Sequence, residues 1–155
     1  MGKANRSAIV TLVERSSRFL IAFALPAGIR SDAVRDRLIE VLRVLPASLR
    51  RTLTWDRGSE MAKHAEVTAA TGTLVYFCDP GSPWQRGSNE NANGLLRQYF
   101  HKGSDLSAID EAEVRFAADE INGRPRVVLG WSSATDRFAT HEAAALLCDA
   151  AVVAP

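Results

Sequence analysis

The stretch of residues 73–91, with the sequence TLVYFCDPGSPWQRGSNEN, carries the clearest indication of the fold. Its first part, Thr73–Phe77, is rich in β-branched and aromatic residues, which favours a strand. Asp79-Pro80-Gly81 predicts a turn that closes this strand. A helix is then expected from Trp84 to about Phe100, because apolar residues recur at helical spacing. A strand, a polar loop and a helix in this order indicate an α/β fold.

The sequence upstream follows the same alternation. Ser7–Glu14 and Arg18–Leu25 are apolar, β-rich runs joined by a short polar turn, which predicts an antiparallel hairpin. Three further elements are expected before residue 73: a helix from Ser31 or Asp32 to about Leu45, a strand at Arg51–Trp55, and a helix from Ser59 to about Ala70, which stops near Gly72.

Downstream, one more amphipathic helix is expected from about Asp110 to Ile121, ended by Gly123-Arg124-Pro125. The Ala-rich stretch Ala143–Ala154 is compatible with a terminal helix. The elements follow the order β-β-α-β-α-β-α-α, a mixed α/β layout. We expect a core from residue 1 to 138 and a C-terminal tail, helical in part, from 139 to 155.

Length and composition set wide limits on function. A chain of 155 residues suits one domain, and its net charge of +1 gives no evidence by itself for a nucleic-acid partner. Cys78 and Cys148 lack metal-ligand spacing and indicate reduced thiols. No signal segment and no apolar run of membrane-spanning length is present. We expect a soluble, cytoplasmic bacterial protein without a membrane partner.

Asp56 and Glu90 are candidate metal ligands. Asp56 follows a predicted strand, and Glu90 lies near the start of a predicted helix. Two rigid elements of this kind can hold carboxylates at one cluster of hard divalent cations. Spacing alone is weak evidence among 18 acidic residues. Asp56 could instead be a turn residue or a helix cap, and Glu90 could be a first-turn glutamate that the helix dipole favours.

Longer motifs surround both carboxylates. Residues 53–60 read LTWDRGSE, residues 76–91 read YFCDPGSPWQRGSNEN, residues 122–126 read NGRPR, and Leu129-Gly130-Trp131 follows. Together these motifs resemble the signature blocks of the insertion-sequence-30 family of DDE transposases. The resemblance extends from about Ser7 to Phe138, and its most specific part is the block that ends in Glu90.

The resemblance implies a ribonuclease-H-like integrase catalytic core, a mixed sheet flanked by helices, that cuts and joins DNA strands. It implies Mg²⁺ or Mn²⁺ as cofactor, two ions in the complete enzyme. Asp56 matches the second and Glu90 the third acidic residue of the D-D-E triad, so both are expected to be catalytic and metal-binding. The expected partners are transposon ends, target DNA and further copies of the intact transposase.

The family's first aspartate lies on a strand just upstream of the position of Gly2-Lys3, where this chain has Met1. Glu14, the first acidic residue of the chain, is a poor substitute. We therefore expect the first central strand and an upstream helix-turn-helix region to be missing, through truncation or a misplaced start, and this polypeptide to be catalytically inert. The family's T-P-x-E run is also altered, to Ser133-Ala134-Thr135-Asp136.

Six residues are candidate DNA contacts: Trp84, Arg86, Asn93, Arg97, Arg124 and Arg126. Trp84 could stack on a base, and the arginines could meet phosphates. Four of them have an alternative: Trp84 could cover the core, Arg97 could be a solvated charge, and Arg124 and Arg126 could pair with Asp119 or Glu120. Glu90, Asn93, Gly94 and Arg97 are expected to share one helix face.

Two other functions remain open from the sequence. One is a retroviral-type integrase or a ribonuclease with the same fold. The block Pro83-Trp84-Gln85-Arg86-Gly87 favours the insertion-sequence family over a ribonuclease. The other is a non-catalytic fragment that associates with full-length transposase.

Overall fold

The computed structural model describes residues 7–26, 28–101, 106 and 108–153. The nine regular elements, in chain order, are β1 (Ala8–Val13), β2 (Leu20–Leu25), α1 (Ser31–Arg43), β3 (Thr52–Trp55), α2 (His64–Thr71), β4 (Leu74–Phe77), α3 (Gly87–Leu96), α4 (Glu111–Asn122) and α5 (Ala134–Val153). Short 3₁₀ turns lie at Ala47–Leu49, Ser59–Met61, Pro83–Arg86 and Val127–Leu129. The mixed α/β class is confirmed.

The chain divides into two compact units. The hairpin unit comprises the described residues of Met1–Ile29 and Arg86–Ala139. The parallel-strand unit comprises those of Arg30–Gln85 and Thr140–Pro155.

The strands form two separate pairs within the described residues. β1 and β2 are antiparallel, from Ala8↔Leu25 to Val13↔Leu20, which confirms the predicted hairpin. β3 and β4 are parallel, in the register Thr52↔Leu74 to Trp55↔Phe77. Both kinds of pairing that a mixed sheet needs are present, but no described strand joins the pairs into one sheet. The absent central strand stays a prediction.

The hairpin unit packs its two strands against α3 and α4. Its core is formed by apolar side chains from β2 and both helices: Leu20, Ala92, Leu96, Ala117, Ala118 and Ile121. Val13, Ala22, Leu95, Tyr99 and Phe100 pack against this cluster. The apolar faces expected of both helices are therefore buried, which confirms the helical spacing. Burial of each large apolar side chain contributes about 1.5–3 kcal/mol.

The hairpin turn is held by Glu14. Its carboxylate accepts hydrogen bonds from the backbone N–H of Ser16 at 3.0 Å and of Ser17 at 2.7 Å, and from both serine hydroxyls. Burial alone would raise the pKa of Glu14, but the bonds from Ser16 and Ser17 outweigh it and lower the pKa to about 2. The turn places Arg18 in the left-handed region, with φ 61°.

The parallel-strand unit packs α1 against α2. α1 buries Val34, Leu38 and Leu42, as its helical spacing predicts. α2 buries Val67 and ends at Gly72, whose φ of 74° suits a residue without a Cβ. Arg35 of α1 forms an exposed ion pair with Glu66 of α2 at 2.6 Å, which contributes little in water.

Some helix limits differ from the predictions. Arg30, not Ser31 or Asp32, is the residue before α1, and it makes no side-chain cap. Residues 59–61 form a 3₁₀ turn, so α2 begins only at His64. α3 ends at Leu96, because the chain tightens there into i→i+3 bonds such as Tyr99 N–H to Leu96 O at 3.0 Å.

α5 begins nine positions earlier than expected, at Ala134. Ser133 and Asp136 explain the earlier start. The Asp136 N–H donates to Ser133 Oγ at 3.0 Å, and the Ser133 N–H donates to Asp136 Oδ2 at 3.3 Å. This reciprocal pair is a capping box with aspartate in the usual place of glutamate. The altered T-P-x-E run therefore keeps a helix start. Within the described residues, no helix is long and apolar enough to cross a bilayer.

Candidate functional site

Asp56 lies at the carboxyl edge of the parallel strand pair. It directly follows Trp55, the last residue of β3, whose backbone oxygen accepts a bond from Cys78 N–H at 2.9 Å. The Trp55 ring is buried, and its Nε1 donates to Glu60 at 3.2 Å. The carboxylate of Asp56 is therefore exposed directly after a firmly anchored residue, at the edge where α/β folds place functional groups.

The loop after β4 is closed by Asp79 and Gln85. The Asp79 N–H donates to Gln85 Oε1 at 2.9 Å, and Gln85 Nε2 donates back to Asp79 Oδ2 at 3.0 Å. Trp84, the neighbour of Gln85, is 74% exposed. The alternative that Trp84 covers the core is therefore wrong. A large exposed aromatic side chain on a closed loop is available to a partner.

Asn89 and Asn93 fasten α3 to β1 through Thr11. The Thr11 hydroxyl has one proton, which it donates to Asn93 Oδ1 at 2.8 Å. The Asn89 amide then donates from its nitrogen to Thr11 Oγ1 and to the Thr11 backbone oxygen, both at 3.1 Å. Its oxygen accepts from Arg86 at 2.5 Å. Asn89, within the signature block, and Asn93, just after it, thus fix one side of α3.

Glu90 lies in the first turn of α3 and is exposed. The partial positive charge of the helix N-terminus favours a carboxylate at this position. Arg97 follows as the residue after the helix, also exposed, and Gly94 is exposed between them. Asn93 is only half-buried, but its oxygen is engaged with Thr11, so any contact with DNA would have to come from its nitrogen.

Arg124 and Arg126 bind neutral groups of the hairpin unit. Arg124 donates to Tyr99 Oη at 2.8 Å and to Gln98 Oε1 at 3.3 Å. Arg126 donates to the backbone oxygens of Ile121 at 3.1 Å and Arg18 at 3.4 Å. Within the described residues neither forms the salt bridge to Asp119 or Glu120 that was the alternative, so that alternative is wrong.

Arg126 has an unusual electrostatic setting. Burial lowers its pKa, and the positive charges of Arg18 and Arg124 lower it further. Arg18 was not among the candidate residues. The sequence predicts the hairpin turn that contains Arg18, but it does not predict a left-handed backbone at a residue other than glycine. In this conformation the Arg18 side chain donates to Ser88 of α3.

Asp56 belongs to the parallel-strand unit, and Glu90 belongs to the hairpin unit. Within the described ranges, no group of three or more histidine, cysteine, aspartate or glutamate side chains is placed to hold a metal ion. Both carboxylates are exposed oxygen donors, the ligand type that Mg²⁺ and Mn²⁺ prefer. Glu14 does not add to them, because Ser16 and Ser17 occupy its carboxylate.

Comparison with known proteins gives consistent matches. A family model of the integrase core domain matches residues 1–83. A transposase for insertion sequence element IS1086 from Cupriavidus metallidurans is 52% identical over 132 residues, covering 85% of this chain and 39% of the relative. The transposase InsI for insertion sequence element IS30C from Escherichia coli is 50% identical over 123 residues, 79% of this chain and 32% of the relative.

A putative integrase from Spiroplasma virus SpV1-R8A2 B is 32% identical over 139 residues, 89% of this chain and 43% of the relative. The chain thus spans about a third to two-fifths of the length of these relatives. A match over 132 of 155 residues necessarily includes both Asp56 and Glu90, whereas the family model stops before Glu90.

Proposed function

This chain belongs to the integrase core domain family and is an IS30-family transposase catalytic core, with the ribonuclease-H-like fold class of that family, and we propose that it serves metal-dependent cleavage and joining of DNA strands. The observation that supports the proposal most is the placement of two exposed carboxylates on rigid elements. Asp56 follows a parallel strand, and Glu90 lies in the first turn of a helix anchored by two asparagines.

We propose that Asp56 and Glu90 would hold divalent Mg²⁺ or Mn²⁺, two ions when the complete set of ligands is present. When bound, such ions activate the attacking oxygen and stabilise the leaving oxygen in phosphoryl transfer. The residues around them would position the carboxylates: Trp55 fixes the strand end, and Asn89 and Asn93 fix α3. Each carboxylate is therefore held by bonds within its own unit.

The DNA contacts are part of the same proposal. Trp84 would stack on a base, since its ring is exposed on a closed loop. Arg86, Arg97, Arg124 and Arg126 would meet phosphates, with Asn93 contributing its amide nitrogen. Arg97 suits this role best, because it is exposed and directly follows the last residue of α3, about two turns beyond Glu90.

We also propose that the 155-residue polypeptide does not cleave DNA by itself. The family's D-D-E triad supplies three carboxylates, and this sequence supplies two of them with Glu14 otherwise engaged. Two ligands hold a metal weakly and position it poorly. The test is nicking of supercoiled plasmid with Mg²⁺ or Mn²⁺. Robust nicking that Asp56→Ala abolishes would overturn this part of the proposal.

The role of the carboxylates is tested in a longer protein. The matching segment of the Cupriavidus metallidurans transposase is replaced by that of this chain, and transposition is measured in cells. We expect Asp56→Asn and Glu90→Gln each to reduce transposition at least about a hundredfold, because loss of a metal ligand should cost at least as much as loss of one of its hydrogen-bonding partners, which costs about 10–100-fold. Asp119→Asn, on an exposed position of α4, is the matched control. Full transposition by Asp56→Asn or Glu90→Gln would contradict the assignment.

A further inference from the structure

The hairpin unit has a pocket of about 370 Å³ at the junction of the strands with α3. Seven residues line it: Val13, Arg18, Ser88, Asn91, Ala92, Arg126 and Val128. Val13, Ala92 and Val128 supply apolar walls, and the other four side chains carry hydrogen-bond donors. No acidic side chain lines the pocket. Its chemistry is therefore suited to an anion.

The two arginines of the pocket lack a carboxylate partner within the part of the chain that the structure describes. Arg18 donates to the Ser88 hydroxyl, and Arg126 donates to two backbone oxygens. Burial is the larger cause of the lowered pKa of Arg126, and the nearby positive charge of Arg18 lowers this pKa further. An anion between the guanidinium groups would relieve this repulsion, which no described side chain does.

The pocket is preformed. Arg18 extends from a turn that the Glu14 carboxylate ties through Ser16 and Ser17. Arg126 is held against the end of α4 by its bond to Ile121 O at 3.1 Å. Donors that are already in place lose little conformational entropy when a ligand arrives.

One wall of the pocket is formed by α3, the helix that carries Glu90. Ser88, Asn91 and Ala92 are spaced by three and four positions and therefore share one face of α3. Glu90 lies on the same helical turn, next to Asn91. Ser88 is in the first turn, where the helix dipole adds a partial positive charge. An anion bound here would sit beside the helix that carries the carboxylate.

We propose that this pocket binds a phosphodiester group of a nucleic-acid backbone and so guides one DNA strand past Glu90. The inference rests on the proposed function. Arginine matches phosphate oxygens with paired N–H donors, which is stronger than a neutral hydrogen bond. The exposed amide of Asn91 supplies one more donor at the rim. Arg18, Ser88 and Asn91 thereby join the DNA-binding surface.

The test is binding of a fluorescein-labelled 20-base-pair duplex to the 155-residue chain, by anisotropy, without divalent metal and over a range of salt. We expect Arg18→Gln to weaken binding about tenfold or more. The slope of log K against log salt should fall by about 0.9, the value for one phosphate contact. Arg115→Gln removes the same charge from an exposed position of α4 and should leave the slope unchanged.

Asn91→Asp is a second variant that leaves the hairpin turn intact, and it keeps the test valid if Arg18→Gln folds poorly. It places a negative charge at the pocket rim and should weaken duplex binding by a similar factor. Unchanged duplex affinity in Asn91→Asp, or in a folded Arg18→Gln, would overturn the inference. So would absence of any duplex binding by the unaltered chain.

Inorganic phosphate distinguishes a backbone site from a free-anion site. Its binding is followed by NMR titration of the unaltered chain and of Arg18→Gln. If Arg18→Gln abolishes saturable phosphate binding but leaves the duplex affinity unchanged, the pocket binds free anions, and the proposed phosphodiester site is overturned. Failure of the proposed function would appear in a different experiment, as unimpaired transposition by the Asp56 and Glu90 variants. The metal-free binding measurement does not use those variants.

Discussion

The side chain of Asn122 pairs with the backbone of Leu20 as a neighbouring strand would. The Leu20 N–H donates to Asn122 Oδ1 at 2.8 Å, and Asn122 Nδ2 donates to Leu20 O at 2.8 Å. Asn122 is the last residue of α4 and is 1% exposed, and Leu20 is the first residue of β2. The asparagine of the N-x-R-P-R segment thus fastens α4 to the hairpin, a role that the motif alone did not reveal.

Asn122→Ala should therefore lower the free energy of unfolding by about 2–3 kcal/mol, because it leaves two buried backbone groups of Leu20 without partners. Urea denaturation followed by circular dichroism measures this. Glu120→Ala, at an exposed position of the same helix, is the control and should change stability by less than about 0.5 kcal/mol. Equal denaturation midpoints for the two variants would contradict the pairing.

Glu14 should make stability depend on pH in the acid range. Its pKa is lowered from 4.5 to about 2, so the folded state binds its proton less readily than the unfolded state. The stabilisation is complete above pH 4.5 and is lost as the pH falls toward 2. It amounts to about 1 kcal/mol after discounting for solvent screening at this half-buried site.

Glu14→Gln should lack that contribution at neutral pH and differ less from the unaltered chain near pH 2. Thermal unfolding at several pH values between 2 and 7 measures the difference. A constant gap between the two proteins over this range would show that the Ser16 and Ser17 hydrogen bonds do not depend on the charge of Glu14.

Trp84 and Trp55 should respond in opposite ways to removal. Trp84 is 74% exposed, so Trp84→Ala should change stability by less than about 0.5 kcal/mol. It should weaken binding of single-stranded DNA by about 1–3 kcal/mol if the ring stacks on one base. Trp55 is 7% exposed, and Trp55→Ala should cost about 3–5 kcal/mol of stability. Unchanged affinity of Trp84→Ala for a single-stranded oligonucleotide would refute stacking.

The elements that periodicity and turn residues specify were predictable. The hairpin, the buried stripes of α3 and α4, and the stop of α2 at Gly72 follow from local patterns. The start of α5 was missed, although Ser133-Ala134-Thr135-Asp136 carries a capping-box pattern with aspartate at its fourth position.

Contacts between distant residues were not predictable from one sequence. Thr11 with Asn93, and Asn122 with Leu20, are separated by 82 and 102 positions. Nothing in the local composition of either partner specifies such a pair. The pocket at Arg18 was missed for the same reason, since it combines the hairpin turn, α3 and the segment after α4.

Paramagnetic broadening by Mn²⁺ in NMR spectra of the 155-residue chain tests whether Asp56 and Glu90 serve one metal site, as we propose. Substoichiometric Mn²⁺ should broaden the amide signals that flank both residues over the same concentration range. Asp56→Asn should remove the broadening around Glu90 as well, and Asp119→Asn should leave both sites broadened. Broadening around Glu90 that persists unchanged in Asp56→Asn would contradict a shared site.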